Sequence, residues 1–234
     1  MNISVKITRQ ENADFFKVKI NDIVKIDFEE YVAAVVASEI GNSNIEACKA
    51  QAIAARSYAQ YRGVLNGKII SDSSSTDQAY RAIRYNEEKY PNCIKAARLT
   101  AGIVVYYNGK IAETVYSSSN GGRLVSCEQK WGNKVPYLIE KEDPWTLAVT
   151  NIKNGHGVGM SQKGAIWAGA NNYSFKDILQ FYYPNTELRT NYGLDILNKI
   201  KVIQISKEEI KKIQSEFFNL QIELNNILKK IEGL

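Results

Sequence analysis

The chain is poor in the residues that make staples and metal cages. Its 234 residues hold one His, three Cys and four Pro. Cys48, Cys93 and Cys127 are odd in number and far apart, so they do not form a disulfide framework; they read as small buried hydrophobes. No run of about 18 apolar residues occurs, which excludes a membrane-spanning helix. The opening stretch "MNISVKITRQENADFF" lacks the apolar core of a signal peptide. The net charge is +5, but the Lys and Arg residues are interspersed with acids and form no dense basic stripe, so nucleic acid is not the expected partner. With 44% hydrophobic and 24% charged residues, the composition is that of a globular protein.

Along the chain, residues 3–7 and 15–27 alternate apolar and polar, which predicts two or three short strands broken at Asn21-Asp22. Asp27 with Glu30 makes a capping box for a helix over about 28–40, closed by Gly41. Ser43 with Glu46 makes a second box for a helix over about 44–62. Six alanines between Ala47 and Ala59 make that helix thin and mark it as central. Residues 71–78, "SDSSSTDQ", read as a loop, and 92–101 as helical. The segment "GIVVYYNGKIAETVY" predicts a hairpin with Asn108-Gly109 in a type I′ turn. Ser174 and Asp177 open a short helix that ends near "YYP".

From Ser206 the pattern changes. Ile210, Ile213, Phe217, Leu220, Leu224, Ile227 and Ile231 follow one another at alternating steps of three and four. This is a heptad seam of about three repeats. It is expected either to self-associate or dock a partner protein, through residues 206–232, or to pack on its own domain. The expected division is therefore a domain over 1–192, a linker over 193–205 and an amphipathic helix over 206–234. The expected fold class is α+β, with the Ala-rich helix packed among antiparallel hairpins.

One acid stands apart. Phe28, Val32, Val35, Val36 and Glu39 fall on one helical face. Glu39 thus shares an apolar face and sits in the last turn, where the helix dipole disfavours negative charge. Both effects raise a carboxyl pKa. Such a group can act as a general acid; a surface position, or pairing with Arg56 or Lys49, is the plainer alternative.

Four stretches together weigh against the plainer one. "DFEEYVAAVVASEIGNSNIEACKAQAIAARSYA" (27–59), "SSTDQAY" (74–80), "VYSSSNGGRLVSCEQKWGNKVPYL" (115–138) and "GHGVGMSQKGAIWAGANNYSFKDILQFYYPNTEL" (155–188) occur in this order. Over roughly residues 1–190 the chain resembles the SpoIID/LytB family of sporulation and amidase-enhancer proteins. That resemblance implies a lytic transglycosylase acting on peptidoglycan glycan strands, stripped of stem peptides by preference, with Glu39 as its acid. No cofactor is expected. A binding module that grips glycan and enhances an amidase without cutting is the second reading, and an assembly component working through its tail is the third.

The matched segments supply candidates for binding glycan. Gln51, Arg56 and Ser57 lie on the helix after Glu39, where helix packing is an equal alternative. Asp77 and Gln78 suit sugar hydroxyls, and Tyr80 suits a pyranose face. Ser118, Ser119 and Asn120 belong to a Gly-rich loop open to a ligand. Trp131 is a candidate sugar platform. His156 is expected to bind substrate or orient Glu39, and Gln162 to do likewise. Two departures from the family stand out. Tyr116 occupies the position where a His is expected, and with only Cys127 nearby no zinc is expected. The chain also lacks a long insertion before "GHGVGMSQ" and a visible anchor. Hence it is expected to be a compact variant carried by a phage or mobile element, acting at the cell wall.

Overall fold

A computed structural model describes residues 1–65, 68–190 and Glu216. The heptad seam and the proposed linker lie outside the described residues, Glu216 excepted.

Strand β1 (Asn2–Lys6) pairs antiparallel with β2 (Ile23–Asp27) and parallel with β3 (Ile70–Ser71). Between β1 and β2 the chain forms a helix, α1 (Gln10–Phe16), where the alternation from residue 15 had predicted strand. The reason is a polar anchor that periodicity does not report. Asn12 is fully buried; its Nδ2 donates to Asp72 Oδ2 (2.8 Å) and to the Tyr80 carbonyl (2.9 Å), and its Oδ1 accepts from Ala82 N.

Asp27 caps helix α2 (Phe28–Ile40), accepting from the backbone N–H groups of Glu29 and Glu30. Gly41 ends it with φ +61°. Helix α3 (Ile45–Ala59) is capped by Asn44 rather than Ser43. Asn44 Oδ1 accepts from Ala47 N while its Nδ2 reaches the Ile166 carbonyl; Ser43 instead donates to the Ile40 carbonyl. The chain then widens into a turn of π-helix over Gln60–Leu65.

Helix α3 is the wall between two hydrophobic cores. Cys48, Ala52, Ala55 and Ala59 face the first core, with α2, β1 and α4 (Pro91–Leu99). Ala50, Ile53, Ala54 and Tyr58 face the second. All six of its alanines are inaccessible to solvent. Small side chains let neighbours approach on every side, which is why a helix of low hydrophobicity can be the most buried one.

The second core is built from short pieces. Strand β4 (Ile103–Tyr107) runs through Asn108 and Gly109, both left-handed as a type I′ turn requires, into β5 (Lys110–Ile111), and β12 (Glu187–Thr190) pairs on its other edge. β6 (Tyr116–Ser117) pairs in parallel with β11 (Met160–Ser161). β7 (Ser119–Asn120) pairs with β10 (Lys153–Asn154), and β8 (Arg123–Leu124) with β9 (Lys141–Glu142). Short helices α5 (Cys127–Trp131), α6 (Pro144–Leu147), α7 (Gln162–Ala170) and α8 (Phe175–Tyr182) complete it. The fold is mixed α+β, though two of its pairings among the described residues, β1–β3 and β6–β11, are parallel and long-range rather than hairpins.

Candidate functional site

Glu39 emerges from the last turn of α2 into a cleft of about 1090 Å³. The residues before it on its helical face, Phe28, Val32, Val35 and Val36, are buried, and Glu39 itself is half-buried. Its two oxygens are held separately. Oε1 accepts from Ala79 N at 2.7 Å, and Oε2 accepts from Gln162 Nε2 at 2.8 Å. Burial pushes its pKa up, and these two hydrogen bonds oppose the rise without cancelling it. Neither donor is charged, so the group can lose and regain a proton without breaking an ion pair.

The segment that delivers Gln162 is fixed by β6 and β11. Parallel pairing of Met160 with Tyr116 and Ser161 with Ser117 sets the start of α7 beside Glu39. Gly159 makes this possible. It adopts φ +67°, and a Cβ there would stand 2.2 Å from the Val115 carbonyl oxygen. The glycine serves the approach of one backbone to another rather than to a ligand.

Seven of the candidates from sequence line this cleft: Glu39, Asp77, Gln78, Ser118, Trp131, His156 and Gln162. Trp131, at the end of α5, is 45% exposed, and its ring packs against His156 at 5.0 Å between centroids. His156 has no nitrogen to offer Glu39. Its Nδ1 accepts from Val158 N, so the proton sits on Nε2, which donates to the Tyr116 carbonyl (2.9 Å). Burial pushes its pKa down and favours the neutral ring.

The other six candidates lie elsewhere, and all but Gln51 have a structural reason for their place. Arg56 is fully buried and bridges Glu29, Ala97 O and Ile103 O. Ser57 donates to Ile53 O and accepts from Val105 N, tying α3 to β4. Gln51 is buried within α3, and its amide has no hydrogen-bond partner among the described residues. Tyr80 is buried and stacked on Tyr31. Ser119 donates to Ile152 O, and Asn120 donates to the buried Asp143.

The cleft also contains groups that sequence reasoning passed over. Two carboxylates besides Glu39 line it: Asp77, already a candidate for sugar hydroxyls, and Glu113, which was not. Asp77 accepts from Ser71 N (2.9 Å) and from the Tyr58 hydroxyl. Glu113 lies 3.7 Å from Arg62; burial raises its pKa, opposed by Arg62 and Lys68. Glu113 had a faint signal, as a polar residue interrupting the apolar run "KIAETVY". Tyr116, noted only as a replacement for His, stands on the cleft wall beside Glu39.

Residues 17–107 match the family model described as SpoIID, stage II sporulation protein. The chain is 33% identical over 134 residues to the amidase enhancer of Bacillus subtilis (strain 168), covering 54% of this chain and 18% of that protein. It is 23% identical over 259 residues to stage II sporulation protein D of the same organism, covering 71% of this chain and 75% of the relative. The stage II sporulation protein D of Bacillus amyloliquefaciens is 28% identical over 162 residues, 61% of this chain and 44% of that one. The match to the family model takes in α2 with Glu39, α3 and the loop that carries Asp77 to Ala79. Over residues 17–107 the chain is thus similar to the SpoIID family.

Proposed function

We propose that the protein is a lytic transglycosylase that cuts the MurNAc–GlcNAc bond of peptidoglycan glycan strands at the cell wall, with Glu39 as general acid and then general base. One observation carries the reading: a half-buried carboxyl whose pKa is raised by burial, held by two neutral donors on the wall of a cleft. Its volume of about 1090 Å³ suits a segment of sugar chain.

The chemistry requires little more. The protonated Glu39 gives its proton to the glycosidic oxygen, and the bond to C1 breaks. The 6-hydroxyl of the same MurNAc attacks C1 while the Glu39 carboxylate takes its proton. The product is a 1,6-anhydro ring, and the enzyme returns to its protonated state. The nucleophile belongs to the substrate, so proximity is built in and a second carboxylate is not needed. Trp131, exposed at the cleft, offers a sugar ring an apolar face, and Asp77 and Ser118 offer polar edges.

Asp77 and Glu113 give the hydrolytic alternative its strongest argument, since a hydrolase uses a second carboxylate to activate water or attack C1. Against it, Asp77 is occupied by Ser71 N and Tyr58, and Glu113 faces the Arg62 guanidinium. The name of the amidase-enhancer relative favours a second reading, a glycan-binding module that does not cut. Mass spectrometry of peptide-stripped and peptide-bearing glycan after incubation with the protein separates all three. Anhydro-MurNAc ends are expected, more from the stripped strands. Hydrated reducing ends point to a hydrolase, and bound but uncut glycan to the enhancer.

A further inference from the structure

The two hydrogen bonds on Glu39 come from very different supports. Gln162 begins a helix whose entry is set by strand pairing. Ala79 lies in an irregular loop, and its N–H has a fixed direction only if that loop is held. The residue before it does the holding. Gln78 is buried, and both ends of its carboxamide are engaged. Its Nε2 donates to Tyr31 Oη at 3.1 Å, and its Oε1 accepts from Tyr116 Oη at 2.5 Å. Tyr31 belongs to α2, the helix that carries Glu39, and Tyr116 to β6, which pairs with the strand before Gln162. One carboxamide therefore ties together the elements that supply the acid and both of its donors.

We propose that Tyr116 is a positioning residue for Glu39: its phenol holds the Gln78 carboxamide, and so holds the Ala79 N–H against the Glu39 carboxyl. The inference deepens the reading of Glu39 as proton donor and rests on it. Tyr116 can hold this post because it does not titrate near neutral pH. Burial, helped by the Glu39 charge, pushes its pKa well above the ordinary phenol range. Its carbonyl also accepts from His156 Nε2, so its backbone is anchored independently of the phenol. A phenylalanine keeps the ring and that anchor and removes only the link to Gln78.

The charged and titratable groups around Glu39 remain in place in this substitution. Asp77 lies on the same loop as Ala79. Tyr58 and Arg62 come from α3 and its extension, Lys68 and Glu113 also line the cleft, and His156 comes from the loop before β11. Arg84 reaches the Ala37 carbonyl behind α2. A change in the titration of Glu39 therefore reports the hydrogen bond rather than a lost charge.

The test is a ¹³C titration of the Glu39 carboxyl in the full chain, assigned by its absence from Glu39→Gln. In Tyr116→Phe the Ala79 bond slackens, the protonated form gains, and the midpoint is expected to rise by about half to one pH unit. The alkaline limb of kcat/KM on peptide-stripped glycan should move the same way, with kcat reduced and KM little changed. A merely structural defect lowers the active fraction at every pH and leaves the midpoint in place. An unchanged Glu39 midpoint in Tyr116→Phe overturns the proposal. Should that variant fail to fold, Gln78→Met removes the same link from its other end, and the same two outcomes apply. The titration needs no turnover. If wild type produces no anhydro ends, the transglycosylase reading fails on its own, while the midpoint still decides whether Tyr116 positions Glu39.

Discussion

Replacing Arg56 tests whether a residue that looked like a ligand-binding cation is a structural one. Its guanidinium is fully buried and forks onto Glu29, with Nε–Oε1 at 2.9 Å and Nη2–Oε2 at 2.5 Å. The remaining donors reach Ile103 O at 3.1 Å and Ala97 O at 3.2 Å. One side chain on α3 thus fastens α2, α4 and the start of β4. Arg56→Met fills much of the volume but takes the guanidinium away from the Glu29 carboxylate and from the Ile103 and Ala97 carbonyls. Removing one partner of a buried pair costs about 3–5 kcal/mol. With a urea slope of about 2–3 kcal/mol/M for a domain of this size, the unfolding midpoint should fall by roughly 1–2 M. Adding Glu29→Gln, which removes the carboxylate charge that Arg56 had balanced and keeps an acceptor for Gly102 N, should recover part of the loss. Urea denaturation followed by tryptophan fluorescence reads both changes. An unchanged midpoint in Arg56→Met, together with weakened glycan binding, would refute the structural assignment and restore the residue to the site.

Three further outcomes follow from the same contacts. Asp72 is buried and accepts from Thr8 N, Thr8 Oγ1, Arg9 N and Asn12 Nδ2. Asp72→Asn should cost about 2–3 kcal/mol, a fall of roughly 4–10 °C in thermal unfolding. Gly159→Ala places its Cβ against the Val115 carbonyl at a left-handed position, so the β6–β11 pairing should be lost. Circular dichroism should show a strongly lowered Tm, and a wild-type Tm would contradict the close approach. Glu39→Gln should change stability in a pH-dependent direction. Burial raises the folded pKa of Glu39 above its unfolded value, so protonation stabilises the fold. That contribution is complete below the unfolded carboxylate range and is lost as pH rises through the folded midpoint. The permanently neutral Gln should therefore match wild type in acid and exceed it above that midpoint, read by denaturation at several pH values.

What could be read in advance followed local physics. The alanine run marked α3 as central because only small side chains let a helix be enclosed on all sides, and Asn108-Gly109 marked the hairpin because both residues tolerate positive φ. Asp27 and the Ser174–Asp177 box announced helix starts through their own side-chain bonds. The failures came where a distant contact decided. Asn44 displaced Ser43 as a cap because its amide also reaches Ile166, and α1 formed because Asn12 reaches Asp72 and Tyr80. For the site, Glu39 was legible as an acid on an apolar helical face. Which face of α3 meets the cleft was not, since both of its flanks are buried in separate cores. That ambiguity drew Gln51, Arg56 and Ser57 into the candidate set. Gln162 was a candidate and does bond Glu39, whereas Tyr116 comes beside Glu39 only through a parallel pairing between remote two-residue strands, for which local periodicity has no signal.

The most direct measurement compares wild type with Glu39→Gln on purified peptide-stripped glycan, counting anhydro-MurNAc ends by mass spectrometry while co-sedimentation follows binding. Loss of the group that donates and then recovers the proton should slow cleavage by about 10²–10⁴-fold, with glycan binding retained. Cleavage by the variant at close to the wild-type rate would contradict the assignment of Glu39 as the acid.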